Sequence, residues 1–347
     1  MLSIALFSRI RMPSVTPTFV HTADRFSQSI LWKTYASDLA RNGFRHKVLV
    51  PGQLRRAAFW AGLIGHFIRQ YHSTTPTIQA QFRLLFLSPA QFPILVHLLD
   101  YLDAQFAADV VPPSLEIVIC SPCAEDTHAW QAFPPFQKHI EKAPIRFLPW
   151  NPFPANPSKL PLEAVPYPTL VLAFDCFSHL PIDRYVLHHG QCHRYGITAQ
   201  QPGEAQPFPT WDFDFPTTLV DLSNAAKEPM TSLLPIYAKA FRHAEFDLPV
   251  GAWTLLERVM EDLEGEAVVL VQDRGLTEME MLDGRVHAVW PGMQENLEFG
   301  VNFHALGHWV MAAGGHFFAA AGEKGQQCLA LHFGRDENML GALAEAW

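Results

Sequence analysis

Three short runs in this 347-residue chain place metal-ligand or nucleophile residue types close together. "HHGQCH" holds His188, His189, Cys192 and His193. Adjacent histidines on a strand point to opposite faces, so the run reads as a hairpin whose turn carries histidines. Cys120 and Cys123 form a C-x-x-C, "CSPC". That is half of a zinc or redox site, but zinc needs a second ligand pair at suitable spacing and none stands out. The two cysteines read as small residues at a strand end. His304 and His308 lie at i, i+4, as zinc pairs do, yet no Glu follows His304 to make H-E-x-x-H. No metal is expected. Neither a G-x-S-x-G nucleophile elbow nor a Walker-type loop is present.

The elements that would position such groups alternate. "FRLLFLS" reads as a first strand and "PILVHLLDYLDAQF" as a helix. "LEIVICS" is a second strand, "EDTHAWQAF" a short helix, "IRFLPW" a third strand and "TLVLAFD" a fourth, the last preceded by a proline-rich loop over 151–168. Apolar strands without polar alternation indicate a mostly parallel sheet covered on both faces. Two amphipathic helices precede it, "SQSILWKTYASDLARNG" with Ile30, Leu31, Tyr35 and Leu39 at helical spacing, and "LRRAAFWAGLIGHFIRQY". A hairpin turns at His189-Gly190. Residues 200–218 read as irregular and 221–265 as a helical insertion. "EAVVLVQD" is a fifth strand, "VNFHALGHWVMAAGG" a helix ended by Gly314-Gly315, and "HFFAAA" and "QQCLALHF" an antiparallel edge. Residues 1–81 therefore form a helical extension and 82–347 an α/β domain.

The composition is 49% hydrophobic and 17% charged, with 26 Phe and 9 Trp, which suits a sizeable core. The net charge is −9 and basic residues are not clustered, so neither a nucleic-acid footprint nor an anionic-membrane surface is expected. Five scattered cysteines argue against a disulfide framework. No apolar stretch is long enough to span a bilayer. In "MLSIALFSRIRM" the arginines follow the apolar run, the wrong order for a secretory signal. The cytoplasm is the expected compartment. The first acid is Asp24, which keeps a mitochondrial presequence as the second reading.

Five segments in order resemble one family: "LLFLSPAQFPILVHLL", "IVICSPCAEDTHAW", "LVLAFDCFSHLPIDRYVLHHGQCH", "VVLVQDRGLTEMEML" and "GVNFHALGHWVMAAGG". Together they resemble the class I, Rossmann-like S-adenosylmethionine-dependent methyltransferases, in the branch of the MidA-type proteins known for complex I assembly. The F-x-x-LP-x-D stretch over Phe177–Asp183 and the "VNFHALG" helix carry most of the likeness. The resemblance implies an α/β Rossmann-like methyltransferase fold and a cofactor pocket at five kinds of position. Strand one would end in an acid, where Phe86 stands, and Ser88, Ala90 and Phe92 occupy the three glycine positions of the loop that follows. Glycine there lets the backbone approach the cofactor at positive φ. The ribose-binding acid of strand two falls on Ser121, and an acid near the adenine on Asn151. The polar pair after strand four falls on Phe174 and Asp175, of which Asp175 keeps a carboxylate, either facing the substrate or capping the turn before Cys176. Asp273, in "QDRG", matches a charged strand-end turn and either faces the site or forms the turn.

Two lost charged hydrogen bonds, at roughly 1.5–3 kcal/mol each, weaken binding by about 10²–10⁴-fold if additive. On that ground no cofactor is expected, and at least one of the rings of Phe86 and Phe92 is expected to fill the vacated volume. The "PFPTWDFDFP" stretch (207–216) is then a lid over the pocket or a partner-binding surface. The expected function is that of an inactive methyltransferase-like scaffold bound to a protein partner, with a homo-oligomer possible. The alternative is an active protein methyltransferase that holds S-adenosylmethionine at a non-standard site. A third reading is a module for another small molecule.

Overall fold

The computed structural model describes residues 24–25, 28, 53–75, 81–87, 92–107, 109, 113–121, 130–150, 165, 167–200, 212–214, 216–263, 267–282, 300–321 and 326–347. Its backbone is one large mixed sheet of eight strands, flanked by helices, with a second antiparallel sheet inserted after the fourth strand of the parallel region.

The central sheet contains β2 (Gln81–Phe86), β3 (Ser114–Ser121), β4 (Ile145–Pro149), β5 (Thr169–Phe174), β11 (Ala267–Leu276), β13 (His316–Ala321) and β14 (Gln326–Phe333), in the spatial order β13-β14-β11-β5-β2-β3-β4. Numbered along the chain as one to seven, these strands lie in the order 3-2-1-4-5-7-6. The pairs β4–β3, β3–β2, β2–β5 and β5–β11 are parallel, whereas β14 runs antiparallel to β11 and to β13. A two-residue strand, β12 (Val301–Asn302), pairs with the end of β11. The first and fourth strands lie side by side, with Arg83 opposite Thr169 and Phe86 opposite Leu172.

Strict alternation splits the sheet's side chains between two apolar layers. Leu170, Leu172 and Phe174 face one layer with Leu84 and Phe86, against α1 (Gln53–Thr74), α2 (Phe92–Phe106), α3 (Pro134–Ile140) and α8 (Glu337–Ala346). Val171 and Ala173 face the other with Leu85 and Val269, against α6 (Val250–Asp262) and α7 (Phe303–Ala312). α1 buries Ala57, Trp60, Ile64, Phe67, Ile68 and Tyr71, a helical stripe that packs on α2 and α8. The Tyr71 hydroxyl donates to Asp336 (3.0 Å), the residue that caps the start of α8. The first amphipathic helix read in the sequence, over 27–43, lies outside the described residues apart from Gln28.

The insertion between β5 and β11 is less helical than the sequence suggests. It holds β6 (Asp183–His188), β7 (Gln191–Gln200), β8 (Asp212–Asp214), β9 (Thr217–Leu219) and β10 (His243–Leu248) beside α4 (Leu222–Ala225), α5 (Leu234–Ala240) and α6. β10, within the stretch read as helical, pairs antiparallel with β6 along its whole length and buries Ala244, Phe246 and Leu248 in an apolar cluster that includes Tyr185 of β6 and Tyr237 of α5. β7 pairs with β6, β8, β9 and β1 (Asp24–Arg25). Of the aromatic stretch 207–216, residues 207–211 and 215 lie outside the described set, and Asp212–Asp214 form β8 on this sheet.

The hairpin turn at His189 (φ 48°) and Gly190 (φ 80°) has two consecutive left-handed residues, the requirement of a tight two-residue hairpin. Because His189 leaves the strand there, its ring meets that of His188, with centroids 4.3 Å apart. The expectation of opposite faces is corrected by that turn. Arg184 and Asp247 form a bidentate ion pair inside this unit (2.8 and 3.0 Å), both almost fully buried.

Candidate functional site

In an open parallel sheet, a crevice forms outside the carboxyl ends of the strands where the order reverses, because connections leave toward opposite faces. Here the reversal falls between β2 and β5. After β2 the chain goes to β3 on one side, and after β5 the next central-sheet strand is β11 on the other. The ladder continues one residue beyond β2, where the Leu87 N–H donates to the Leu172 carbonyl (2.8 Å).

Asp175 stands at the other lip. Its N–H donates to the Gln272 carbonyl (2.7 Å), the last bond toward β11, and its φ is 45°. Aspartate is among the few residues that tolerate this left-handed geometry. The turn sends the chain into a single helical turn at Phe177–His179. Pro181 then packs so tightly on the start of α6 that a Cβ at Gly251 would sit 2.6 Å from the Pro181 nitrogen. This accounts for the small residue at 251 opposite the "LP" of the sequence signature.

The Asp175 carboxylate is held from the sheet interior. The Trp60 indole N–H donates to Gln272 Oε1 (2.7 Å), Gln272 Nε2 donates to Gln326 Oε1 (2.8 Å), and Gln326 Nε2 donates to Asp175 Oδ1 (3.3 Å). The Arg56 guanidinium lies 3.7 Å from Asp175 Oδ2, with both side chains about one-fifth exposed (21% and 19%). Beneath it, fully buried Asp273 accepts from the Ser178 N–H (2.9 Å) and from the Arg274 N–H (2.8 Å). Burial, reinforced by the charge of Asp175, pushes the Asp273 carboxyl up to about 7. Two carboxyls thus share one lip of the crevice, and they resist being charged together.

The other sequence candidates separate. Ser121 ends β3 fully buried, and its carbonyl accepts from the Trp150 N–H (2.6 Å). Phe92 opens α2, and its side chain lies outside the described set, as do Ser88, Ala90, Asn151 and Cys123. Phe86 packs edge-on against Phe174 (5.8 Å between centroids), on which Trp60 stacks (5.1 Å). Its ring therefore belongs to the helix-side apolar layer, where the alternation of β2 sends it. Burial pushes the Cys120 and Cys176 thiols far up, which makes them inert as nucleophiles. His304 exchanges a hydrogen bond with the Tyr237 hydroxyl (2.7 Å), and burial lowers its pKa. Among the described residues no three His, Cys, Asp or Glu side chains converge as a metal site.

Trp60, Gln272, Gln326 and Arg56 were not singled out from the sequence. Gln272 had a signal, since it is the first polar residue after five apolar ones in "AVVLVQD". Trp60 and Gln326 had none, because their pairing joins segments 212 and 54 residues apart.

By sequence, no protein family and no curated protein matches the chain. Solved structures do match by shape. A COG1565 superfamily protein from Burkholderia thailandensis superposes with a TM-score of 0.56 at 14% identity, over 89% of this chain and 87% of that one. A second member from the same organism, bound to S-adenosyl-homocysteine, superposes with a TM-score of 0.52 at 14% identity, over 79% of this chain and 76% of the other. This chain has the class I methyltransferase-like fold. The expectation that no cofactor is involved is corrected by the second of these structures, whose methyltransferase-like fold holds S-adenosyl-homocysteine. The physical reason is that the crevice of this fold comes from the reversal of strand order, a backbone property, and so does not vanish with a glycine motif. Among the described residues, no helix of this methyltransferase-like chain is long and apolar enough to cross a membrane.

Proposed function

We propose that this chain is an S-adenosylmethionine-dependent methyltransferase that seats the cofactor in the crevice outside β2 and β5, with Asp175 as its anionic anchor. The observation that carries this reading is the left-handed, part-exposed Asp175 at the reversal point of the sheet. Bound there, S-adenosylmethionine supplies a methyl group activated on a sulfonium. The residues present suit that ligand in charge. It carries a sulfonium and an ammonium, and the lip offers one carboxylate, a second carboxyl whose charging is suppressed by the first, and a guanidinium 3.7 Å off for the ligand's own carboxylate.

The rest of the chain's work is positional. The Trp60–Gln272–Gln326 relay orients the Asp175 carboxylate. Asp273 pins the 177–179 turn through the Ser178 N–H. A second reading, a cofactor-holding partner of another protein without methyl transfer, is favoured by Ser121, a buried hydroxyl where the resemblance puts the ribose-binding acid.

Calorimetry with S-adenosylmethionine and S-adenosylhomocysteine tests the first reading, with Asp175→Asn as the isosteric variant that tolerates the same φ. Binding of both by the parent chain and a loss of about tenfold or more in the variant are expected. Absence of binding up to about 1 mM overturns it. A transfer assay on protein acceptors then separates the two readings, since binding without transfer supports the second.

A further inference from the structure

The inserted sheet carries a cavity of its own, of about 410 Å³, open to solvent. Its floor is one cross-strand rung. Tyr185 of β6 lies directly opposite Arg194 of β7, which lies directly opposite Thr218 of β9. Directly paired residues on neighbouring strands project on the same face, and all three line the cavity. α4 and the segment after it close the far side with Asn224 and Lys227. The volume lies within the range of small-ligand pockets.

The charges on this lining are unequally committed. Asp221 caps α4, and its carboxylate accepts from the Ser223 N–H and hydroxyl and from the Asn224 N–H and amide. Lys227 donates to the Asn224 side chain (3.1 Å). Glu228 is exposed at the rim. Arg194 is half-buried, yet among the described residues it has no hydrogen-bond or ion-pair partner. In the same sheet the buried Arg184 has its bidentate carboxylate, Asp247. A guanidinium drawn into a concave site and uncommitted among the described residues is matched to a planar oxyanion.

We propose that this cavity is a binding site for a small carboxylate, which pairs with Arg194 and is supported by Lys227 and the Thr218 hydroxyl. The site is independent of the strand-end crevice, since its walls come from the inserted sheet and its helices alone.

Calorimetry on the full chain with succinate, the uncharged succinamide and inorganic phosphate tests it. Succinate is expected to bind with a Kd below about 10 mM and succinamide not at all. Arg194→Gln is expected to weaken succinate at least about tenfold, Arg194→Lys less, because the charge stays while the planar fork is lost. Lys227→Gln is expected to weaken it by less than Arg194→Gln. Arg194 has no described partner to lose, so circular dichroism of Arg194→Gln should match the parent. No succinate binding at about 10 mM, equal binding of succinamide, or an undiminished Arg194→Gln overturns the proposal. Phosphate binding without succinate binding overturns the carboxylate assignment.

Discussion

At the lip of the central sheet, Asp175 is tied by three successive side-chain hydrogen bonds to Trp60, deep in the helix-side layer. On the floor of the inserted sheet, Arg194 lines an open cavity and is held by none among the described residues. Both groups are charged, part-buried and concave in setting, but they differ in what holds them. The first site is preorganised by buried polar bonds, so changes there spread into the core. The second is a surface rung whose central charge contributes little to the fold. Under the proposed assignments, stability and binding are expected to be coupled at the strand ends and separable at the inserted sheet.

The sharpest way to break that comparison is to damage the inserted sheet where it does bury charge. Arg184→Leu removes the bidentate guanidinium from the buried Asp247 carboxylate and is expected to cost about 3–5 kcal/mol. Urea unfolding with limited proteolysis reads it, and cleavage confined to 183–248 would mean that the inserted sheet opens before the central one. A smaller effect is expected at the relay. Trp60→Phe keeps a ring against Phe174 but leaves Gln272 Oε1 without its indole donor, at about 1–3 kcal/mol by chemical denaturation. The same variant should weaken S-adenosylmethionine through Asp175, and a binding constant equal to the parent's would show that the relay does not position the carboxylate.

The carboxyl pair sharpens the comparison by pH. The folded pKa of Asp273 is raised to about 7, above its unfolded value, so its contribution is fully present below pH 3.8 and is lost as pH rises through about 7. Asp175→Asn removes one of the two causes and should move that loss to lower pH, as followed by melting temperature between pH 4 and 8. Loss curves that coincide in parent and variant would remove Asp175 from the account. The smallest effect is expected at the cavity, where Arg194→Gln should change unfolding free energy by less than about 0.5 kcal/mol. A larger change would show that the guanidinium supports the inserted sheet rather than a ligand.

Local patterns carried much of the fold. The apolar runs at 82–87, 115–121, 169–174 and 267–271 all became central strands, since a sheet buried on both faces demands unbroken apolar sequence. His189-Gly190 announced its hairpin through turn chemistry alone. β10 was missed inside a stretch read as helical, because its six residues take their strand identity from pairing with β6. Phe86 was placed by alignment with a strand-end acid, yet alternation along β2 turns its ring into the core. Asp175 was legible as the retained acid after strand four, but its partners were not.

Sequence alone determined the order of elements, the apolar faces and the turn residues, all of which act within a few positions along the chain. Tertiary structure alone decided which polar groups meet: Trp60 with Gln272, Gln326 with Asp175, Asp175 over Asp273, and Arg194 between Tyr185 and Thr218. These meetings depend on strand order and register, which come from packing whole layers together. Periodicity specifies the face on which a side chain lies, whereas only the packed sheet brings residues from distant segments within hydrogen-bond reach.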